Sequence, residues 1–179
     1  MVGPLTNSEQ KHDAERSPDW PAFRDRFIAA NPVCVACGSR VGLQAHHIFP
    51  FHYCIALGRP DLELDARNLI ALCETGQAQV SENHHLLVGH LADFESSNLD
   101  VTNDAKVTYH RKTAEQILAD AEWEAKRKAR LPHIEAMTPA DKAAFTWAMN
   151  HRFPSAAHPA APKPATLPDW IPADQRTAT

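Results

Sequence analysis

Apolar positions recur at helical spacing soon after a polar beginning. Residues 1–17 carry Asn7, Ser8, Glu9, Gln10 and Lys11 and read as a loose arm. Ser17-Pro18-Asp19 then forms a helix-start pattern, followed by Trp20, Phe23, Phe27 and Ile28 on one face. Asn31-Pro32 ends that helix. The apolar face is expected to pack on a core. Arg24 and Arg26 lie off it, where a solvated surface and a contact with DNA phosphates are equally consistent.

Two strand-like runs follow. Val41 to Ile48 predicts a first strand, broken at Pro50, and Leu69-Ile-Ala-Leu72 a second, short and apolar. Between them residues 51–67 read as a long loop, with Arg59-Pro60-Asp61 as a turn and Leu62-Glu63-Leu64-Asp65 leading to Asn68. Residues 74–83 form a polar loop, and His84 to Leu91 a helix or turn. Phe94 is expected to close the core, while Ser96, Ser97 and Asn98 either touch phosphate or cap a turn.

Beyond Thr108 the pattern becomes helical. Thr113 to Arg130 is rich in Ala, Glu and Lys without Pro or Gly, which predicts one long helix. Its basic end, Lys126-Arg127-Lys128-Ala129-Arg130, is read first as complementing a helix C-terminus, with contact to DNA the alternative. Thr138-Pro139-Ala-Asp141 starts a further short helix containing Phe145, Trp147 and Met149. Six of the fourteen prolines lie after residue 153, so that stretch reads as a disordered or extended tail. The expected organisation is an arm at 1–17, a domain at 18–105, a helical extension at 106–153 and a tail at 154–179.

Composition changes this picture little. A chain of 179 residues with 44% hydrophobic content can bury a real core. No apolar run approaches membrane-spanning length, and Met1-Val-Gly-Pro4 leads into no signal-peptide core, so the expectation is a cytoplasmic protein without a membrane partner. A net charge of −4 counts mildly against nucleic-acid binding, although a groove needs only local positive charge and a bound dication supplies more.

The chemistry is concentrated between Cys34 and His90. Cys34-Val-Ala-Cys37-Gly38, Gln44-Ala-His46-His47-Ile-Phe-Pro50, Asn68-Leu-Ile-Ala-Leu-Cys73 and Asn83-His84-His85-Leu-Leu-Val-Gly89-His90 hold three of the four cysteines and five of the eleven histidines. Thiolate and imidazole are natural zinc donors, and a CxxC pair in a reducing compartment favours a metal over a disulfide. Gly38 suits the left-handed turn after the second ligand of such a knuckle.

In this order the motifs resemble the HNH nuclease family, over roughly residues 16–105. The best matches are His46-His47-Ile-Phe-Pro50 and Asn68-Leu-Ile-Ala-Leu-Cys73. The closing His84-His85-Leu-Leu-Val-Gly89-His90-Leu and Ser96-Ser97-Asn98 resemble a subgroup common among phage and prophage proteins. The resemblance implies an α+β fold: a small ββα-metal core with a zinc knuckle, flanked by an N-terminal helix and C-terminal helices. It also implies a metal-dependent endonuclease that hydrolyses DNA phosphodiester bonds.

Two metal sites are then expected. Structural zinc takes Cys34, Cys37 and Cys73; relatives commonly bring another cysteine soon after the last, but Glu74-Thr-Gly-Gln-Ala-Gln contains none. His84 stands where the subgroup usually has cysteine, so the proposed set is Cys34, Cys37, Cys73 and His84, with Cys54 the runner-up and otherwise a buried thiol. By resemblance, His46 and His85 hold a catalytic divalent ion (Mg2+, Mn2+, Ni2+ or Zn2+), and His47 is the general base. Neighbours on a strand point to opposite faces, which lets the two histidines divide these tasks. His90 is a third candidate ligand, but five residues do not stack on one α-helical face, so it requires a distorted helix or one ending near Gly89. Asn68 is expected to orient His47 by a hydrogen bond across the loop. The competing expectation is a non-catalytic, zinc-stabilised module that binds DNA or protein, which has no need of His47 or Asn68.

Overall fold

The computed structural model describes residues 16–74 and 82–177. Most of the expected N-terminal arm and of the polar loop at 74–83 lies outside them. The fold is α+β, with helices arranged around one two-stranded antiparallel sheet.

Helix α1 (Trp20–Ala30) ends at Asn31, as Asn31-Pro32 predicts. Strand β1 (Leu43–His47) pairs with β2 (Leu69–Cys73) in the register His46↔Ile70 and His47↔Leu69. All of β2 is buried because both faces of the sheet are covered. Leu69 and Ala71 pack with Phe27 of α1, while Ile70 and Leu72 join the main core with Ile48, Val88 and Phe145. That two-sided burial explains why β2 reads as a continuous apolar run. It also sends His46 toward the main core and His47 toward α1.

The segment 51–67 is not a plain loop. Helix α2 (Phe51–Ala56) follows Pro50, and two short helical turns (Pro60–Leu64 and Ala66–Asn68) lead to β2. Phe51, His52, Tyr53 and Cys54 are all buried, so tertiary packing gives a six-residue helix that local propensity does not announce. Arg59 is buried too. It is paired with Asp61 at 2.8 Å and donates to Asn150 Oδ1 at 2.7 Å and to the Phe153 carbonyl at 3.1 Å.

The long helix expected over 113–130 is two helices, α3 (Ala114–Leu118) and α4 (Ala121–Lys128). Thr113 starts α3 through a capping box with Gln116, and Asp120, in extended conformation, caps α4 by accepting from Glu122 and Trp123 amides. An Asp carboxylate that captures backbone amides competes with helix continuation, which composition alone conceals. Helix α5 (Pro139–Arg152) has its own capping box, Thr138 with Asp141. Finally, α6 (Ala173–Thr177) lies in the stretch expected to be a tail. Ile171 there is fully buried, with Leu167 and Trp170 packed against the core, so this end covers the domain instead of trailing from it. No helix among the described residues is long and apolar enough to cross a membrane.

Candidate metal centres and catalytic pocket

The knuckle is built by backbone hydrogen bonds. Gly38 N–H donates to the Cys34 carbonyl at 2.7 Å and Cys34 N–H to the Ser39 carbonyl at 2.7 Å, with Gly38 at φ +78°. Val35 N–H donates to the Ala71 carbonyl at 3.0 Å, which docks the knuckle beside β2. Donor atoms of Cys34, Cys37, Cys73 and His84 consequently lie within 4.8 Å of one another. Cys37 Sγ and Cys73 Sγ are 3.8 Å apart, and His84 Nδ1 is 3.3 Å from Cys73 Sγ. Two sulfurs about 2.3 Å from one tetrahedral zinc lie roughly 3.8 Å apart, so the arrangement fits that ion.

The hydrogen bond with Cys73, followed by burial, raises the Cys34 thiol well above its usual range; burial raises Cys37. Without a cation these thiols are kept in their neutral form; a bound cation would take the place of their protons. This group could hold zinc. Cys54 stands apart from it, fully buried, its thiol directed at the Phe49 carbonyl at 3.5 Å. Cys54 is thus a core thiol and not the fourth member.

The second group is His46, His85 and His90, whose ring nitrogens also lie within 4.8 Å of one another. Residues His85–Gly89 form a π-helical turn. In an α-helix, positions five apart sit about 140° apart around the axis. The wider π turn narrows that offset, and the His85 and His90 rings meet at 4.8 Å between centroids. The distortion that His90 requires is therefore present.

Both rings are oriented through Nδ1. His85 Nδ1–H donates to Glu74 Oε2 at 2.5 Å, and His90 Nδ1–H to the Ser96 carbonyl at 2.7 Å. The nitrogen each would offer an ion is then Nε2, the arrangement usual for metal-bound imidazoles. Gly89 belongs to this construction as well. A Cβ on it would meet the His46 ring at 2.9 Å, so only glycine lets the turn approach β1 this closely.

His47 occupies a different environment. Its ring stacks on Trp20 at 4.7 Å between centroids and leans on Phe51 at 6.1 Å. His47 Nε2–H donates to the Glu63 carbonyl at 3.0 Å, which makes Nδ1 the unprotonated nitrogen. Burial pushes its pKa down to about 4, so the ring is neutral near pH 7. Arg16 covers this aromatic stack, its guanidinium 3.8 Å above Phe51 and paired with Glu63 at 3.3 Å.

Asn68 does not bond His47 directly. Its Nδ2 donates to the carbonyls of Phe49 and Leu62 at 3.0 Å each, and its Oδ1 accepts from Phe49 N–H at 2.8 Å. It thus clamps the two ends of the 49–62 segment, and the neighbouring Glu63 carbonyl holds the imidazole. The direct hydrogen bond expected between Asn68 and His47 is therefore not made.

The His46, His85 and His90 group and His47 line one cavity of about 390 Å³, together with Arg16, His52 and Phe94. Phe94, expected in the core, is 45% exposed and leans on His85 and His90 at the mouth. Ser96 contributes only its carbonyl, Ser97 lines the cavity, and Asn98 supports the π turn. Arg24 and the basic end of α4 are paired with acids of their own surface: Arg24 with Asp25, Lys126 with Asp100 and Asp104, Arg127 and Lys128 with Glu124.

Sequence reasoning overlooked Glu74, Glu63, Arg16, Trp20 and Phe51 as parts of the site. A carboxylate just after the last cysteine was a readable signal; the backbone carbonyls of Glu63 and Ser96 had none. Comparison with known proteins gives no matching family model, no similar curated protein and no similar solved structure.

Proposed function

We propose that the chain is an HNH-type endonuclease of the ββα-metal kind that hydrolyses DNA phosphodiester bonds. The observation that carries this reading is the asymmetry of adjacent residues on β1. His46 joins His85 and His90 in a three-nitrogen group with no thiol, while His47 is held neutral beside them in the same cavity. A closed structural site has no use for that pairing.

The residues fit a catalytic divalent ion: three imidazoles, two of them oriented through Nδ1, opening on a cavity and not sealed by a fourth protein donor among the described residues. Bound there, such an ion supplies positive charge to the phosphate and the departing oxygen. His47 does the proton chemistry. Its Nδ1 accepts a proton from water as the water oxygen bonds to phosphorus; the P–O bond opposite breaks, and the leaving oxygen is protonated from solvent. The Glu63 carbonyl stabilises the imidazolium that results, because Nε2–H keeps its acceptor throughout. Trp20 and Phe51 keep the ring from rotating away.

The test is conversion of supercoiled plasmid to nicked or linear DNA by zinc-loaded protein, supplied in turn with Mg2+, Mn2+, Ni2+ and Zn2+, and stopped by chelator. Cleavage with at least one ion is the expected result. No cleavage with any ion, by folded protein that retains its tight zinc, would favour the non-catalytic zinc module.

A further inference from the structure

The π turn is the least ordinary part of the backbone, and it is secured from outside. After Gly89 the chain reverses through Leu91 and Ala92, both left-handed at φ +52° and +62°, a conformation that disfavours residues with a side chain. The last carbonyls of a helical turn have no partner within it. Three of them find donors elsewhere. The Leu87 carbonyl accepts from Trp123 Nε1–H at 2.9 Å, the Val88 carbonyl from Asn98 Nδ2–H at 2.9 Å, and the Gly89 carbonyl from Asn98 N–H at 3.0 Å.

These donors connect the turn to α4. Trp123 is buried on that helix, and Lys126, one turn further, donates to Asp104 at 2.6 Å. Asp104 in turn accepts from Asn98 Nδ2–H at 2.8 Å. Helix α4 therefore grips the turn twice, directly through the indole and indirectly through Lys126, Asp104 and Asn98. The break at Asp120 allows the first grip, because Asp120 caps α4 at the Trp123 amide.

We infer that Trp123 and Asn98 are positioning residues for the histidine group: they hold His85–Gly89 in the π form and thereby keep His85 and His90 convergent. Without them the turn relaxes toward α geometry, where the two rings diverge by about 140°. Neither residue touches the reacting atoms. The helical extension is thus a working part of the site and not an appendage. This rests on the proposed divalent-ion site and adds which residues outside it set its affinity.

The experiment is a calorimetric titration of Ni2+ into full-length, zinc-loaded protein, with amide hydrogen exchange at Ala92 measured before Ni2+ is added. Trp123→Phe keeps a buried ring and removes only the donor. It is expected to weaken the Ni2+ site by about 10–100-fold, the usual effect of losing an outer partner of a metal ligand. It should also speed exchange at the Ala92 amide, whose bond to the Leu86 carbonyl spans six residues and has no place in an α-helix. The His90 amide, bonded to the same carbonyl four residues back, keeps its partner in either form. Asn98→Ser is the second variant if Trp123→Phe fails to fold. Ile117→Val, a buried change on α3 that removes none of these hydrogen bonds, should lower the melting temperature while leaving Ni2+ affinity and exchange unchanged.

Parent-like Ni2+ affinity in folded Trp123→Phe or Asn98→Ser would overturn the inference alone. An equal loss in Ile117→Val would overturn it too, by making the effect one of general stability. A parent that takes up no Ni2+ beyond its zinc would remove the divalent-ion site, and the positioning role with it.

Discussion

At the scale of single residues, neighbours on one short strand receive opposite environments. His46 faces a cluster of nitrogens, whereas His47 is pressed between rings and kept neutral by burial. The β period of two accounts for the division, and it is legible in the sequence. The partners that tune each ring were not, because two are backbone carbonyls, from Glu63 and Ser96, which leave no trace in residue identity. Gly89 gives the sharpest residue-level prediction. Gly89→Ala places a methyl 2.9 Å from the His46 ring, which must move. The second divalent ion should then bind at least about 10-fold more weakly, while the tight zinc stays bound. Calorimetry on the zinc-loaded variant checks this, and unchanged affinity would show that His46 is not a ligand.

At the scale of elements, the knuckle and β2 are joined by the proposed zinc and by one backbone bond from Val35 to Ala71. Cys73→Ser should release the zinc and unfold the core, since ion binding at such a site is folding free energy. Cys54→Ala should leave the zinc in place and cost only a small buried side chain. Zinc release to a chromogenic chelator, read alongside circular dichroism, distinguishes the two; zinc loss from both variants would contradict the assigned ligands.

Local patterning revealed the strands, the knuckle, α1 and the start of α5, because each has its own period, cap or breaker. It failed at α2 and at the 119–120 break. The buried face of α2 is stabilised by distant partners, and Asp120 reads as one more helix-compatible polar residue until its carboxylate is seen to cap α4. The π turn could be deduced only in the negative, from the poor α-helical fit of His85 with His90.

At the scale of the whole molecule, the proline-rich end misled because proline density speaks of extension, not of exposure. Ile171 is fully buried, and Trp170 rests on Phe145 at 6.1 Å between centroids. Ile171→Ala should destabilise the fold by about 2–5 kcal/mol, as for other large-to-small core changes. Removing 154–179 should lower the melting temperature at least as much; an unchanged melting temperature would return the segment to the status of a tail. The net charge of −4 raises a second whole-molecule point. With several surface cations already paired to acids, DNA affinity should depend strongly on the bound divalent ion and only modestly on salt.

The account turns on His47 acting as a base beside an ion held by its neighbour. The most direct measurement is plasmid cleavage by the parent, His47→Ala and His46→Ala across a titration of the active divalent metal, with folding verified for each. His47→Ala should lose at least about 100-fold in rate, the lower end for positioned acid–base catalysis, and extra metal should not restore it. His46→Ala should lose activity that partly returns at high metal. A His47→Ala protein that cuts as fast as the parent would contradict the account.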